Sequence, residues 1–472
     1  MIYLASAHVT QSIDYLQKYL RILKLNREYL KSTVMAPKHR IIIDTDPGVD
    51  DVLALLLALT ARPDEVEVVM FSVTYGNVSL HSCLRNVVAL FHVLEKENAW
   101  RKQSGRPEGF EALRTSKPIV AVGAEHPLQD VTLQADHFHG ADGLHGVHEA
   151  HPDLTPADTW KSLFDRDGLH ASTDSVEPPT FSKYFTPSKE PAHKEILRIL
   201  RESPENTVTI VPVGPLTNIA LAAAEDPETF LRVKELVVMG GAVHVPGNIT
   251  PAAEFNCFAD PVAAARVYAL TSPTPSSTMP PLVEDKSSLG PYPKKLSKRL
   301  LLSLFPLDIT NPHLLNKGFL TSKIQPLIDA GSPLARWIGT FMFGVFRKIE
   351  SMVGDGEEPG LSLNDPLCVW YMLTRDDPAW KAVTEDLRVE TTGQWTLGMH
   401  VIDKRNLSKP EESKEEPIRT EPEDPLDAVE FDEVPNHHKS WMDSRKGNRI
   451  NRITASPGEL YFQEYLMQRL FE

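Results

Sequence analysis

Eight consecutive residues, Asp44-Thr45-Asp46-Pro47-Gly48-Val49-Asp50-Asp51, set four carboxylates between two apolar segments, residues 41–43 before them and 52–58 after. The first segment is short and β-branched, which reads as a buried strand, and the second carries a helical run over 52–61. A strand passing into a helix through a turn built on Pro47 and Gly48 is the step from which α/β sheets are made. Like charges crowded between two buried elements repel one another and lose hydration, so they call for a counter-charge. Oxygen-only donors suit a hard cation, Ca²⁺ or Mg²⁺. The plainer reading, a solvated acidic loop capping the helix, fits poorly with apolar flanks on both sides.

The same step recurs along the chain. Residues 66–74, 118–122, 207–213 and 235–239 read as strands, 86–94 and 215–224 as helices, and 458–471 as an amphipathic closing helix. This rhythm predicts a single α/β domain over 39–472, with a mostly parallel central sheet flanked by helices and ligand groups at the carboxyl ends of strands. Residues 1–38 read as an amino-terminal helical extension, apolar at Ile13, Leu16, Leu20, Leu23 and Leu30. It is basic, but Asp14, Glu28 and the lack of serine enrichment speak against a targeting segment. Three stretches break the pattern: 151–192, 272–298 and the acidic, proline-rich 405–445. All three read as surface insertions, the last as disordered.

Charge and cysteine content narrow the partners. Lys and Arg total 49 against 64 Asp and Glu, a net charge of −15, which argues against a phosphate backbone as ligand. Cys83, Cys257 and Cys368 lie far apart and form no CxxC pair, so neither a disulfide framework nor a zinc site is expected, and the compartment reads as reducing and cytoplasmic. No stretch reaches the roughly 18–20 apolar residues of a membrane span. The expected partner is a small molecule, not nucleic acid or membrane.

Further motifs follow the acidic octet in a fixed order: Asn77 after the second strand, His139-Gly140-Ala141-Asp142-Gly143-Leu144, and Pro212-Val213-Gly214-Pro215-Leu216-Thr217-Asn218. Met239-Gly240-Gly241-Ala242, the block from Gly247 through Asn248 and Glu254 to Asn256, Ala259-Asp260-Pro261, Pro306-Leu307-Asp308 and Asn364-Asp365-Pro366-Leu367 complete the set. Together they resemble the inosine-uridine preferring nucleoside hydrolase family, over residues 40–403 outside the insertions. The resemblance implies a one-domain nucleoside hydrolase fold, homodimers or homotetramers, and hydrolysis of the N-glycosidic bond of ribonucleosides. It implies a calcium ion held by Asp46, Asp51, Asp365 and the backbone carbonyl of Val213. By the same resemblance Asp50, Asn77, Asn256 and Asp365 would hold the ribose 2′- and 3′-hydroxyls, and Asn248 and Glu254 the 5′-hydroxyl. Hydroxyls are best read by carboxylates and amides, and Asn248, Glu254 and Asn256 fall close enough in sequence for one loop to line one face of a sugar. The plainer reading is turn chemistry alone.

The expected mechanism passes through an oxocarbenium-like ribosyl cation, with a calcium-held water losing its proton to Asp46 as general base. One position departs from the family pattern. Many members carry His before the last Asp-Pro, and this chain has Asn364, which can donate a hydrogen bond but not a proton. Help for the leaving base is therefore expected from His139, His145 or an aromatic residue. The aromatic run Trp337, Phe341, Phe343 and Phe346 reads chiefly as core. Two other classes stay open: an impaired homologue that binds ribose without cleavage, which Asn364 favours, and a DxD-type Mg²⁺-dependent phosphatase with Asp44 as nucleophile. Gly48, standing where that motif wants Thr or Val, and the second pair Asp50-Asp51 weigh against the phosphatase.

Overall fold

The computed structural model describes residues 37–129, 138–164, 180–280, 289–352, 358–405 and 438–472. Residues 1–36 of the expected extension and 406–437 of the acidic tract lie outside the described residues. Nine strands make one sheet: β1 (His39–Thr45), β2 (Val66–Val73), β3 (Ile119–Val122), β4 (Thr186–Pro187), β5 (Val208–Pro212), β6 (Glu235–Met239), β7 (Leu302–Phe305), β8 (Lys381–Glu385) and β9 (Ile450–Ala455). Their order is β8-β9-β7-β6-β5-β1-β2-β3-β4, and every neighbouring pair is parallel except β8 against β9. The protein is one α/β domain around this sheet. Among the described residues no helix is long and apolar enough to cross a membrane.

The helices used below are α1 (Val49–Leu59), α2 (Leu80–Gln103), α3 (Ala192–Glu202), α4 (Thr217–Glu225), α5 (Phe255–Ala259), α6 (Pro261–Ala269), α7 (Pro333–Met352), α8 (Asn364–Thr374) and α9 (Glu459–Phe471). The two faces of β1 show why the sheet is covered on both sides. Ile41 and Ile43 point into a core with α1, α2, α7, α8 and α9, whereas Ile42 points into a second core with α3, α4 and α6. Successive side chains alternate across a strand, so an unbroken apolar run needs apolar cover on each face. Every residue of α1 is buried. Because β1 pairs with β2 on one side and β5 on the other, the chain diverges at its carboxyl end, the crevice where ligands of such sheets sit.

The structure departs from the sequence reading at the insertions. The stretch 151–192 supplies the edge strand β4 and the buried side chains Trp160, Phe181 and Phe185, the last stacked on Phe91 at 4.8 Å. These few aromatics carry the segment into the core although its average composition is polar. In 272–298, Tyr292 is likewise buried, with the Arg266 guanidinium 5.1 Å from its ring centroid. The carboxyl-terminal part of 405–445 is ordered: residues His438–Met442 form a helix, and Arg388 lies 3.7 Å over the buried Trp441 ring. Trp337, Phe341 and Phe346 are core residues, with Phe343 packed against them.

Candidate active site

The acidic octet sits where β1 ends and α1 begins. Asp51, in the first turn of α1, reaches back so that its Oδ2 accepts the Gly48 N–H at 3.0 Å, while its Oδ1 accepts the Thr45 hydroxyl at 2.6 Å and the Asp46 N–H at 3.2 Å. This is a helix-capping arrangement in which the cap is a carboxylate of the cluster itself. Asp365 enters from the first turn of α8. Oxygens of Asp50, Asp51 and Asp365 lie within 4.8 Å of one another, a trio able to hold a metal ion. The sequence reading put Asp46 in that trio rather than Asp50. Asp46 stands beside it instead, with Oδ2 accepting the Asn77 N–H at 2.8 Å and Oδ1 buried without a partner.

Packing fixes Asp46 where it is. A Cβ added at Gly76 or at Gly214 would run into its carboxylate, one against each oxygen. Gly214→Ala should therefore move the carboxylate, and a misplacement of about 1 Å can lower turnover about 10²-fold. The expected result is that loss in kcat/KM with a melting temperature near that of the wild type. Activity within threefold of wild type would show that the cradle does not matter.

The electrostatics are one-sided. Burial, followed by repulsion from Asp51, holds the Asp46 carboxyl well above the usual carboxylate range. Burial also raises Asp51, and burial with Asp51 beside it raises Asp50. Asp365 is pushed up by burial and then by Asp50, Asp51 and Asp46. Each carboxyl resists carrying charge because it is buried, and none of the effects that shift it comes from a basic side chain among the described residues. Among the described residues, the ion-pair partner found for the cluster is His139, whose Nδ1 is 3.9 Å from Asp50. That nitrogen accepts the Val49 N–H at 3.1 Å, so it presents a lone pair rather than a proton. Buried oxygen donors, an orphaned carboxylate oxygen and missing positive charge all fit a hard divalent cation.

Behind the cluster lies a layer that sequence reasoning did not identify. Asp44 is fully buried, and its register neighbour Ser72 donates to it, as does Asn218 Nδ2 at 2.8 Å. Burial raises its carboxyl to about 7 against these hydrogen bonds. So enclosed, Asp44 is not disposed as a phosphatase nucleophile. Asn86 on α2 ties the octet to the His139 segment, donating to the carbonyls of Pro47 at 2.8 Å and Asp142 at 3.0 Å. An asparagine inside the apolar run of α2 was the available clue.

The remaining expected residues divide into two groups. Asn77 Nδ2 donates to the Asp46 carbonyl at 3.1 Å and to Asp51 Oδ2 at 2.9 Å, and Asn364 hydrogen-bonds Asp50, so both belong to the acidic cluster. Asn256 Nδ2 donates to the Val213 carbonyl at 2.9 Å, which joins those two. Glu254 caps α5, accepting the N–H groups of Asn256 at 2.8 Å, Gly241 at 2.8 Å and Cys257 at 3.2 Å. Asn248 is exposed, and its Oδ1 accepts the Phe255 N–H at 2.9 Å. His145 is drawn against Gly344 of α7, in a left-handed conformation with φ of 51°, and burial lowers its pKa.

The family model for inosine-uridine preferring nucleoside hydrolases matches residues 41–421. The chain is 30% identical over 365 residues to an uncharacterized protein of Schizosaccharomyces pombe, covering 77% of this chain and 89% of that one. It is 29% identical over 370 residues to the pyrimidine-specific ribonucleoside hydrolase RihA of Klebsiella pneumoniae, covering 78% and 89%. Among solved structures, the plant nucleoside hydrolase PpNRh1 aligns with a TM-score of 0.57 at 19% identity, over 92% of this chain and 99% of that one. A purine-preferring ribonucleoside hydrolase from Gardnerella vaginalis gives 0.57 at 20% identity, over 91% and 98%. These two likenesses concern the fold. From the family match over most of its length, the chain belongs to the inosine-uridine preferring nucleoside hydrolase family, hydrolases of the N-glycosyl bond of ribonucleosides.

Proposed function

We propose that this chain cleaves ribonucleosides to ribose and free base with a resident calcium ion, held by Asp46, Asp51, Asp365 and the Val213 carbonyl. The observation that carries the reading is the buried carboxyl cluster, with Asp50, Asp51 and Asp365 oxygens within 4.8 Å of one another and no Lys or Arg paired with it among the described residues. When bound, the ion supplies the missing charge and polarises the oxygens around it. Asp46, with one carboxylate oxygen free of hydrogen bonds, takes the proton of the attacking water as its oxygen bonds to C1′ and the C–N bond breaks. Asp50, Asn77, Asn256 and Asp365 hold the 2′- and 3′-hydroxyls, and Asn248 and Glu254 hold the 5′-hydroxyl. The carboxylates favour the positive charge that develops on the sugar. His139, whose Nδ1 is an acceptor, keeps its ring proton on Nε2, from which the departing base is assisted. The free, buried cysteines are in keeping with a cytoplasmic setting.

A panel of purine and pyrimidine nucleosides, assayed for base release with calcium or after exhaustive chelation, tests this reading. Chelation is expected to lower release about 10³-fold, the several kcal/mol of transition-state stabilisation that an ion supplies. Calcium should restore it better than magnesium. Undiminished release without metal overturns the reading, and nucleoside binding without any release would favour the impaired homologue instead. Asn364→His should raise inosine cleavage relative to uridine on the order of 10²-fold by supplying a proton donor. An unchanged ratio would mean that the leaving group is assisted elsewhere.

A further inference from the structure

His400 is buried yet takes no part in the acidic cluster. It lies on a separate two-stranded ribbon in which Arg388–Val389 pairs antiparallel with His400–Val401. Its ring fills the space that a side chain at Gly241 would need. Gly241 has φ of +86°, a conformation that favours glycine, and its N–H is one of the donors to Glu254. The imidazole thus backs the peptide that grips the Glu254 carboxylate. His400 Nε2, one of the ring atoms nearest Gly241, also meets the Tyr268 hydroxyl at 3.2 Å and Cys257 Sγ at 3.8 Å. Cys257 in turn donates its backbone N–H to Glu254 Oε2 at 3.2 Å, with its thiol beside the same carboxylate.

Tyr268, His400, Cys257 and Glu254 are 0%, 2%, 3% and 1% exposed, so this polar chain runs wholly inside the protein. Burial lowers the His400 pKa to about 4, so the links to it are neutral hydrogen bonds. A phenylalanine would fill the same space without desolvating polar atoms. A buried network of this kind specifies orientation more than it adds stability.

We propose that His400, acting through Gly241 and Cys257, is a positioning residue that sets the orientation of the Glu254 carboxylate and so governs discrimination for the ribose 5′-hydroxyl. This rests on the reading of Glu254 as the 5′-hydroxyl partner. The test compares the best nucleoside of the panel with its 5′-deoxy analogue in wild type, Glu254→Gln, His400→Phe, His400→Gln and Tyr268→Phe, each checked by thermal melting. Wild type is expected to prefer the 5′-hydroxylated substrate strongly, and Glu254→Gln to lose most of that preference. His400→Phe should cut the preference about tenfold, the worth of one well-made hydrogen bond. Its turnover of the 5′-deoxy analogue should stay within about twofold, whereas a general packing defect would slow both substrates alike. His400→Gln, which keeps a polar group near the thiol, should recover part of the loss.

Preference retained in Glu254→Gln would refute the reading of Glu254 and the proposal with it. Preference lost there but intact in His400→Phe, or an equal loss on both substrates, would refute the positioning role alone. Should His400→Phe fail to fold, Tyr268→Phe removes one hydroxyl from the same chain. A severalfold smaller preference in that variant supports the proposal, and an unchanged one overturns it.

Discussion

Asp46→Asn is expected to lower kcat/KM by about three to four orders of magnitude, the upper range for loss of a general base, while the ion-free protein keeps or gains stability. Asparagine preserves the shape between Gly76 and Gly214, and its amide oxygen can still accept the Asn77 N–H. What disappears is the capacity to carry charge and to receive a proton. Because burial and Asp51 already disfavour a charged Asp46, an uncharged side chain spares the ion-free fold the cost of taking up a proton there. Calcium should therefore raise the melting temperature of wild type more than that of the variant, as binding to the native state alone requires. Steady-state kinetics and paired melts, with calcium and with chelator, give both readings. Turnover within tenfold of wild type at saturating calcium would remove Asp46 from the chemistry.

Glu97→Ala should destabilise the fold by about 3–5 kcal/mol, the usual effect of removing one member of a buried ion pair. Glu97 is on α2, 1% exposed. Its Oε1 accepts Arg101 Nε at 2.8 Å, and its Oε2 accepts the Ser332 hydroxyl at 2.7 Å and the Leu334 N–H at 3.1 Å, at the start of α7. Arg101 also donates to the Leu470 carbonyl near the end of α9 at 2.8 Å. Truncation leaves a buried guanidinium with that carbonyl, and a hydroxyl and an amide lose their acceptor. Denaturant unfolding should show the loss, with kcat/KM of the folded fraction little changed because α2 meets α7 and α9 here, away from the acidic cluster. A loss below about 1 kcal/mol would mean that water or repacking satisfies these groups.

The acidic octet was legible because its chemistry is local: four carboxylates, a turn and two apolar flanks are all contiguous. Strands β1, β2, β3, β5 and β6 were legible for the same reason. β7, β8 and β9 were not. β8 reads Lys-Ala-Val-Thr-Glu and is exposed along most of its length, and β9 mixes Asn and Arg with its apolar residues. Only pairing with neighbours far away in sequence makes them strands. The same limit applies at the site. Ser72 and Asn218 become partners of Asp44 through strand register and a crossover, and the Asp46 carboxylate is placed beside the Asp50, Asp51 and Asp365 trio by two glycines remote from it in sequence. Residue type gave the inventory there, and contact decided the arrangement.

The helix that presents Asp50 and Asp51 has a consequence for synthesis of the chain. Past its first turn α1 is apolar on every side, and among its covers is α9, whose Arg469 donates to the Thr60 carbonyl just past α1 from 409 positions further on. A nascent chain therefore carries this helix incompletely covered through most of translation, and contacts so distant in sequence form slowly. At roughly 5–20 residues per second, the wait before α9 is made is on the order of tens of seconds. During that interval the future active-site helix is a sticky segment in need of shielding, and chaperone supply during expression should govern the yield of native enzyme.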